Sequence, residues 1–182
     1  MSISYKTAVT DQELHQILEL QQKNIPTSIS EEEKQKEGFV TVHHSFELLK
    51  SMNSKCPHII ATSNNNVVGY ALSMVKDFKE DIDVLKPMFT KIEANIPSTL
   101  KYIVMGQICI DKAFRKKGIF RGMYSKMRDE IKQEYNAIIT EVDETNLRSL
   151  NAHYAIGFKV LISYHSNNQD WEILKWDIKD SY

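Results

Sequence analysis

From Gln107 to Gly122 the chain reads Gln-Ile-Cys-Ile-Asp-Lys-Ala-Phe-Arg-Lys-Lys-Gly-Ile-Phe-Arg-Gly, and this stretch limits the possible fold more than any other. An alternating apolar run stops at Ile110, cations and a glycine follow, and helical spacing starts at Ile119. The pattern predicts a strand, an anion-binding turn and a helix. The first backbone N–H groups of a helix carry partial positive charge and have no partner inside the helix, so a glycine-assisted turn beside them accepts phosphate oxygens. Arg115, Lys116 and Lys117 would set full charges around that place. The bland alternative is a solvated cationic cluster, the usual fate of charge runs.

Length sets the frame for this element. The chain has 182 residues, 42% of them hydrophobic, which suits a single domain over residues 1–182 with one sizeable core. Its formal net charge is −1, and the cations at the turn have no aromatic residues interleaved with them, so nucleic acid is not an expected partner. Its two cysteines, Cys56 and Cys109, are far apart and without metal-ligand spacing, which predicts neither a disulfide scaffold nor a metal site. No run approaches the roughly 18 apolar residues of a membrane span, so the expectation is a soluble cytoplasmic protein with no membrane partner.

Taken in order, Ile3 to Val9 predicts a strand, and Thr10-Asp-Gln-Glu13 predicts a capping box that opens a helix. Pro26 should close that helix, Ser30-Glu-Glu-Glu offers a second helix start, and a third helical piece is expected from about Ser45 to Met52. The runs His58 to Ser63 and Val67 to Val75 predict an antiparallel hairpin, because asparagines 64 to 66 tolerate the left-handed turn conformation. Phe78 to Ala94 has helical spacing that Pro87 must kink or split. Strands are expected at Tyr102 to Ile110 and Ala137 to Val142, with a helix from Ile119 to Glu134 between them. A short helix should end near Gly157, and a final strand pair is expected around the polar turn at Ser166 to Asp170.

Arg115-x-x-Gly118 after a strand resembles the pyrophosphate turn of GNAT-superfamily acetyltransferases, usually Gln/Arg-x-x-Gly-x-Gly/Ala. This chain departs at the last position, where Phe120 replaces the small residue and the next glycine, Gly122, comes two residues later. Asn146-x-x-Ser149, then His153, then Gly157-Phe158 resembles the second signature of the same family, in the expected order. The resemblance implies a GNAT-like α/β fold: a mixed sheet of about seven strands flanked by helices, whose fourth and fifth strands splay to admit the pantetheine arm of acetyl-CoA. It implies that Ile108, Cys109 and Ile110 pair with that arm, and that the diphosphate rests on amides from Lys116 through Lys117, Gly118, Ile119, Phe120 and Arg121. Asn146 and Ser149 would also face the cofactor, Asn146 with a plain helix N-cap as its alternative.

The activity so implied is an N-acetyltransferase with acetyl-CoA as co-substrate, no metal, and an amine of a small molecule or protein as acceptor, attacked directly in a ternary complex. A monomer or homodimer fits equally. An alkylamine near pKa 10.4 is protonated at neutral pH, so a base must take its proton directly or through water. Glu141 is preferred because a residue on the splayed strand faces the slot; Asp143 and Glu144 are the alternatives, and all three can be solvated strand-end acids. His153 stands where relatives carry a tyrosine proposed to protonate the departing sulfur, and Tyr154 is one residue off that register. A histidine with only a packing role is the competing reading. Cys109, with no paired histidine nearby in sequence, reads as a small strand residue and not a nucleophile. A non-catalytic acyl-CoA-binding sensor or scaffold is the second functional reading.

Overall fold

The structure, a computed structural model, describes residues 2–24 and 43–179. The seven strands form one sheet: β1 (Ser4–Thr7), β2 (Ile59–Ser63), β3 (Asn66–Met74), β4 (Tyr102–Ile110), β5 (Ala137–Asp143), β6 (Lys159–Ser166) and β7 (Gln169–Asp177), in the order β1-β2-β3-β4-β5-β7-β6. All neighbours are antiparallel except β4 and β5. That parallel pair is joined by the crossover helix that parallel pairing requires.

Local chemistry explains the element ends. Thr10 and Glu13 make the capping box reciprocally, opening α1 (Asp11–Gln22). Ser45 caps α2 (Phe46–Lys55) by accepting from the Leu48 amide. The hairpin between β2 and β3 turns on Asn64 and Asn65, both at positive φ (49° and 63°), and that between β6 and β7 on Asn167 and Asn168 (52° and 59°). The Phe78–Ala94 stretch splits: two short 3-10 turns precede α3 (Lys86–Asn95), and Pro87 sits in its first turn, where a missing N–H costs nothing. The helix expected near Ser30 and the closure expected at Pro26 fall outside the described residues.

Two helices, α4 (Ile119–Ile131) and α5 (Leu147–Tyr154), cover one face of the sheet; α1, α2 and α3 cover the other. On α4 the buried stripe is Ile119, Met123, Tyr124, Met127 and Ile131, and the helix stops three residues before the expected Glu134. Burial of each such side chain contributes about 1.5–3 kcal/mol. Gly122 lets the helix approach β1: a Cβ there would stand 2.2 Å from the Tyr5 ring. It serves helix-to-sheet packing and so does not extend the anion turn.

Candidate active site

β4 and β5 pair only at Tyr102–Ala137, Ile103–Ile138 and Val104–Ile139. At the next residue the Thr140 hydroxyl donates to the Met105 carbonyl at 2.9 Å, closing the end of the paired segment. Beyond it the strands diverge. A bulge helps to turn β4 away: Leu72 faces Gln107 while Ser73 faces Met105, leaving Gly106 as the extra residue. Under the bulge lies a buried polar cluster. Gln21 Nε2 donates to Gln107 Oε1 at 2.6 Å, the Tyr70 hydroxyl donates to the same oxygen at 2.7 Å, and the His44 amide donates to Gln21 Oε1 at 3.0 Å. Gln21 Nε2 also reaches His44 Nδ1 at 2.9 Å, so this ring nitrogen accepts. The cluster ties α1 and the start of α2 to the bulged strand.

Three spaces follow one another through the split. A cleft of about 230 Å³ lies along Ile108, Cys109 and Ile110 and the start of α4. A gap of about 90 Å³ between the diverging strands shares Ile108, Asn146 and Ser149 with it. A hollow of about 420 Å³ on the other side shares Met105, Gly106, Glu141 and Trp171 with the gap. The three spaces thus adjoin in series, from the helix end, past the diverging strands, to a second compartment.

At the helix end Gly118 is the N-cap residue, with φ +76°, and no side chain caps the helix. A Cβ at Gly118 would meet nothing within 4 Å, so the backbone conformation is what selects glycine. Lys116, which also lines the cleft, is left-handed too (φ 61°). Gly118→Ala should then cost about 1 kcal/mol of stability from the left-handed penalty alone, with the unfolding cooperativity unchanged. Urea denaturation of the two proteins checks this.

Of the residues expected at the cofactor, Ile108, Cys109, Ile110, Arg115, Lys116, Gly118, Ile119, Phe120, Asn146 and Ser149 line the cleft. Lys117 and Arg121 are not among the lining residues. Lys117 folds back to donate to the Ala113 carbonyl (2.8 Å) and rides over the Phe114 ring, while Arg121 donates to the Ala155 carbonyl (2.8 Å). Arg115 bonds the Ile110 carbonyl (3.1 Å) and Asn24 Oδ1 (2.9 Å), so its guanidinium braces the turn against the end of α1. Asn24 and Arg148 also line the cleft and were not expected. Arg148 sits two residues after Asn146 in the signature, a position that a cation beside a phosphate cleft could have flagged.

Asn146 caps α5, its Oδ1 accepting from the Ser149 amide at 3.1 Å, so its helix-start reading and its place at the cleft hold together. Phe120, in place of the small residue, meets the rings of Tyr124 (5.2 Å) and His153 (5.0 Å) edge-on, stitching α4 to α5. The edge-to-face arrangement is worth about 0.5–1.5 kcal/mol per pair.

His153 is 1% exposed, and both ring nitrogens are committed. Nδ1 donates to the Ser149 carbonyl at 2.7 Å, and Nε2 accepts from the Tyr124 hydroxyl at 2.8 Å. Burial pushes its pKa down to about 4, so it is neutral at pH 7. The ring borders the gap, where an acid role was expected of it, with each nitrogen already in a hydrogen bond. Tyr154 lies on the outer side of α5, where its hydroxyl donates to Glu172 on β7; it lines neither the cleft nor the gap.

Glu141 differs. It lies on β5 beyond the paired segment and lines both the gap and the hollow. Burial raises its pKa to about 7, opposed in part by the hydrogen bond it accepts from the Tyr164 hydroxyl on β6. Asp143 borders the gap as well, but Oδ1 already accepts from the Thr145 amide (2.7 Å) and hydroxyl (2.6 Å), and Oδ2 from Gln169 (3.1 Å). Its oxygens hold the turn into α5. Glu144 lines none of the three spaces. Among the described residues no group of three or more His, Cys, Asp and Glu could hold a metal ion, and no helix is long and apolar enough to cross a membrane.

A family model described as "Acetyltransferase (GNAT) family" matches residues 14–158. No curated protein matches the chain by sequence. Among solved structures, the ribosomal-protein-S18-alanine N-acetyltransferase from Escherichia coli is similar at 14% identity and TM-score 0.67, over 100% of this chain and 97% of that one. The yncA protein from Salmonella typhimurium, a putative acetyltransferase with its cofactor acetyl-CoA, is similar at 13% identity and TM-score 0.65, over 100% and 97%. Naa50 from Arabidopsis thaliana, in complex with the bisubstrate analogue CoA-Ac-MVNAL, is similar at 14% identity and TM-score 0.65, over 97% and 99%. At these identities the likeness is one of fold.

Proposed function

Since the chain belongs to the GNAT acetyltransferase family and is by that membership an acyltransferase, we propose that it moves the acetyl group of acetyl-CoA to a primary amine, by direct attack within the split between β4 and β5. The observation that carries this reading is the succession of cleft, gap and hollow through the split, with the Glu141 carboxylate lining both of the last two. The cleft residues fit the cofactor. An uncapped helix start and Lys116 suit a diphosphate, and the unpaired part of β4 suits the amides of pantetheine, which need partners once dehydrated.

The chemistry then assigns each residue a task. The turn from Lys116 to Phe120 holds the diphosphate, and Ile108 to Ile110 hold the arm. The Glu141 carboxylate takes one proton from the incoming ammonium, directly or through water. The freed lone pair attacks the thioester carbon, the carbon–sulfur bond breaks, and the second proton on nitrogen ends on the departing thiolate. No covalent enzyme intermediate is required. His153 is a positioning residue here: the hydrogen bond it accepts from Tyr124 ties α5, and with it Ser149, to α4.

The test is release of free thiol from acetyl-CoA in the presence of a panel of primary amines, alongside calorimetric titration of the cofactor. Amine-dependent thiol release is expected. Tight cofactor binding with no amine-dependent release from any acceptor would leave the sensor or scaffold reading in its place.

A further inference from the structure

The walls of the 420 Å³ hollow carry information about the acceptor, on the premise that the acetyl-transfer reading above holds. The hollow falls within the roughly 300–1,000 Å³ of small-ligand sites. Its apolar side is Val84 and Leu85 from the turn before α3, Met88 from the first turn of α3, and Trp171 from β7, while His43, Tyr164, Ser166, Asn167 and Gln169 supply uncharged polar groups elsewhere in the lining. Glu141 is the sole carboxylate among its described lining residues, and it sits at the end that opens into the gap. A cation already stands by one of the lining residues: Lys91 Nζ is 5.9 Å from the centre of the Tyr164 ring.

We infer that the acceptor is a primary amine with a single positive charge and an apolar chain, the nitrogen at Glu141 and the chain against Val84, Leu85, Met88 and Trp171. A second ammonium along that chain would leave water for a lining whose single carboxylate, among the described residues, is Glu141 at the far end. An alkyl chain of the same length gains from each methylene that the walls cover. Polyamines and multiply charged amino sugars are thereby disfavoured.

Matched acceptors isolate the charge. Hexylamine and 1,6-diaminohexane differ only at the far end, and thiol release at pH 8 should favour hexylamine in kcat/KM by tenfold or more. Peptides beginning Met-Leu and Lys-Lys form a second pair with the same order expected. Preference for the apolar member supports the inference, whether alkylamines or peptides react better, and that contrast tells a small amine from a polypeptide terminus.

Equal or better use of the diamine or the Lys-Lys peptide overturns the inference while leaving acetyl transfer intact; no release from any of the four overturns both. Val84 is 55% exposed, so Val84→Glu keeps the fold and adds a carboxylate to the wall. It should raise kcat/KM for the diamine relative to hexylamine about tenfold, because the added carboxylate partners the second ammonium and removes an apolar contact of the alkyl chain. An unchanged ratio between the two amines would count against the placement of the chain along this wall.

Discussion

Replacing Glu141 with glutamine is expected to lower kcat/KM for amine acetylation by about 10²–10⁴, the span usual for loss of a positioned base. Glutamine keeps the shape and can still accept from Tyr164, so the loss reads proton transfer and not collapse of the wall. The pH profile separates the two. A base acts ionised, so kcat/KM for the wild type should rise with pH through about 7, the pKa that burial gives Glu141. In Glu141→Gln that limb should vanish, leaving only the rise that follows the amine's own ionisation. A variant that keeps both the rate and the limb would move the base elsewhere, with Asp143 the next carboxylate on the gap.

Stability should move the opposite way. The folded pKa of Glu141 lies above its ordinary value of 4.5, so its contribution is fully present below pH 4.5 and lost as pH rises through about 7. Above that pH the ionised carboxylate costs up to about 3 kcal/mol, and Glu141→Gln should be more stable than wild type by some part of this amount.

The second large effect is acid sensitivity. His44, His58 and His153 each have a pKa pushed to about 4, in each case chiefly by burial. His58 joins α2 to β3, donating from Nε2 to the Leu49 carbonyl at 3.1 Å and accepting the Ser73 amide at Nδ1, also at 3.1 Å. His44 accepts from Gln21, and His153 clamps α5 to α4. None of the three can take a proton without breaking a bond that it accepts. With folded values below the ordinary 6.5, their contribution is fully present above pH 6.5 and lost as pH falls through about 4.

Each histidine is worth about 2–3 kcal/mol over that window. Glu141 opposes them with the contrary sign between pH 7 and 4.5. The balance predicts uptake of about two protons on unfolding near pH 5.5, and a loss of several kcal/mol between pH 7 and 4.5. Urea denaturation across that range reads both quantities. In Glu141→Gln the loss should steepen, because the opposing group is gone. A free energy of unfolding that stays flat from pH 7 to 5 would contradict the buried, neutral state of these rings.

How much of this could be read from the residues depends on the range over which each signal acts. Thr10 and Glu13 are three apart, and Asn64 with Asn65 fix a turn by themselves, so the capping box and the hairpin were legible. Gly118 was legible for the same reason. The parallel seam of three residue pairs was legible only through family resemblance, since nothing local says where pairing stops. The bulge at Gly106 was not legible: it depends on the register that β3 imposes. Gln21 and Gln107 meet across 86 positions, and neither has a sequence neighbour that betrays the other. His153 was legible as a residue of the gap, but the partner of its Nε2 was not, because Tyr124 lies on another helix. Lys117 and Arg121 have the right charge at the right turn, yet nearer carbonyls hold them.

An ordinary open sheet has two margins, and proteins keep both from recruiting stray strands. Here the divergence past Val104 and Ile139 adds two more, facing each other inside the molecule. Helices on both faces keep foreign polypeptide from sealing them, while a slim, amide-bearing molecule can enter. On the proposed function, the pantetheine arm would enter as an extra ribbon and pair with the open edge of β4 as it binds. Occupancy and structural integrity become one equilibrium, so the concentration of the threaded molecule also sets how firmly the two halves of the sheet are held together.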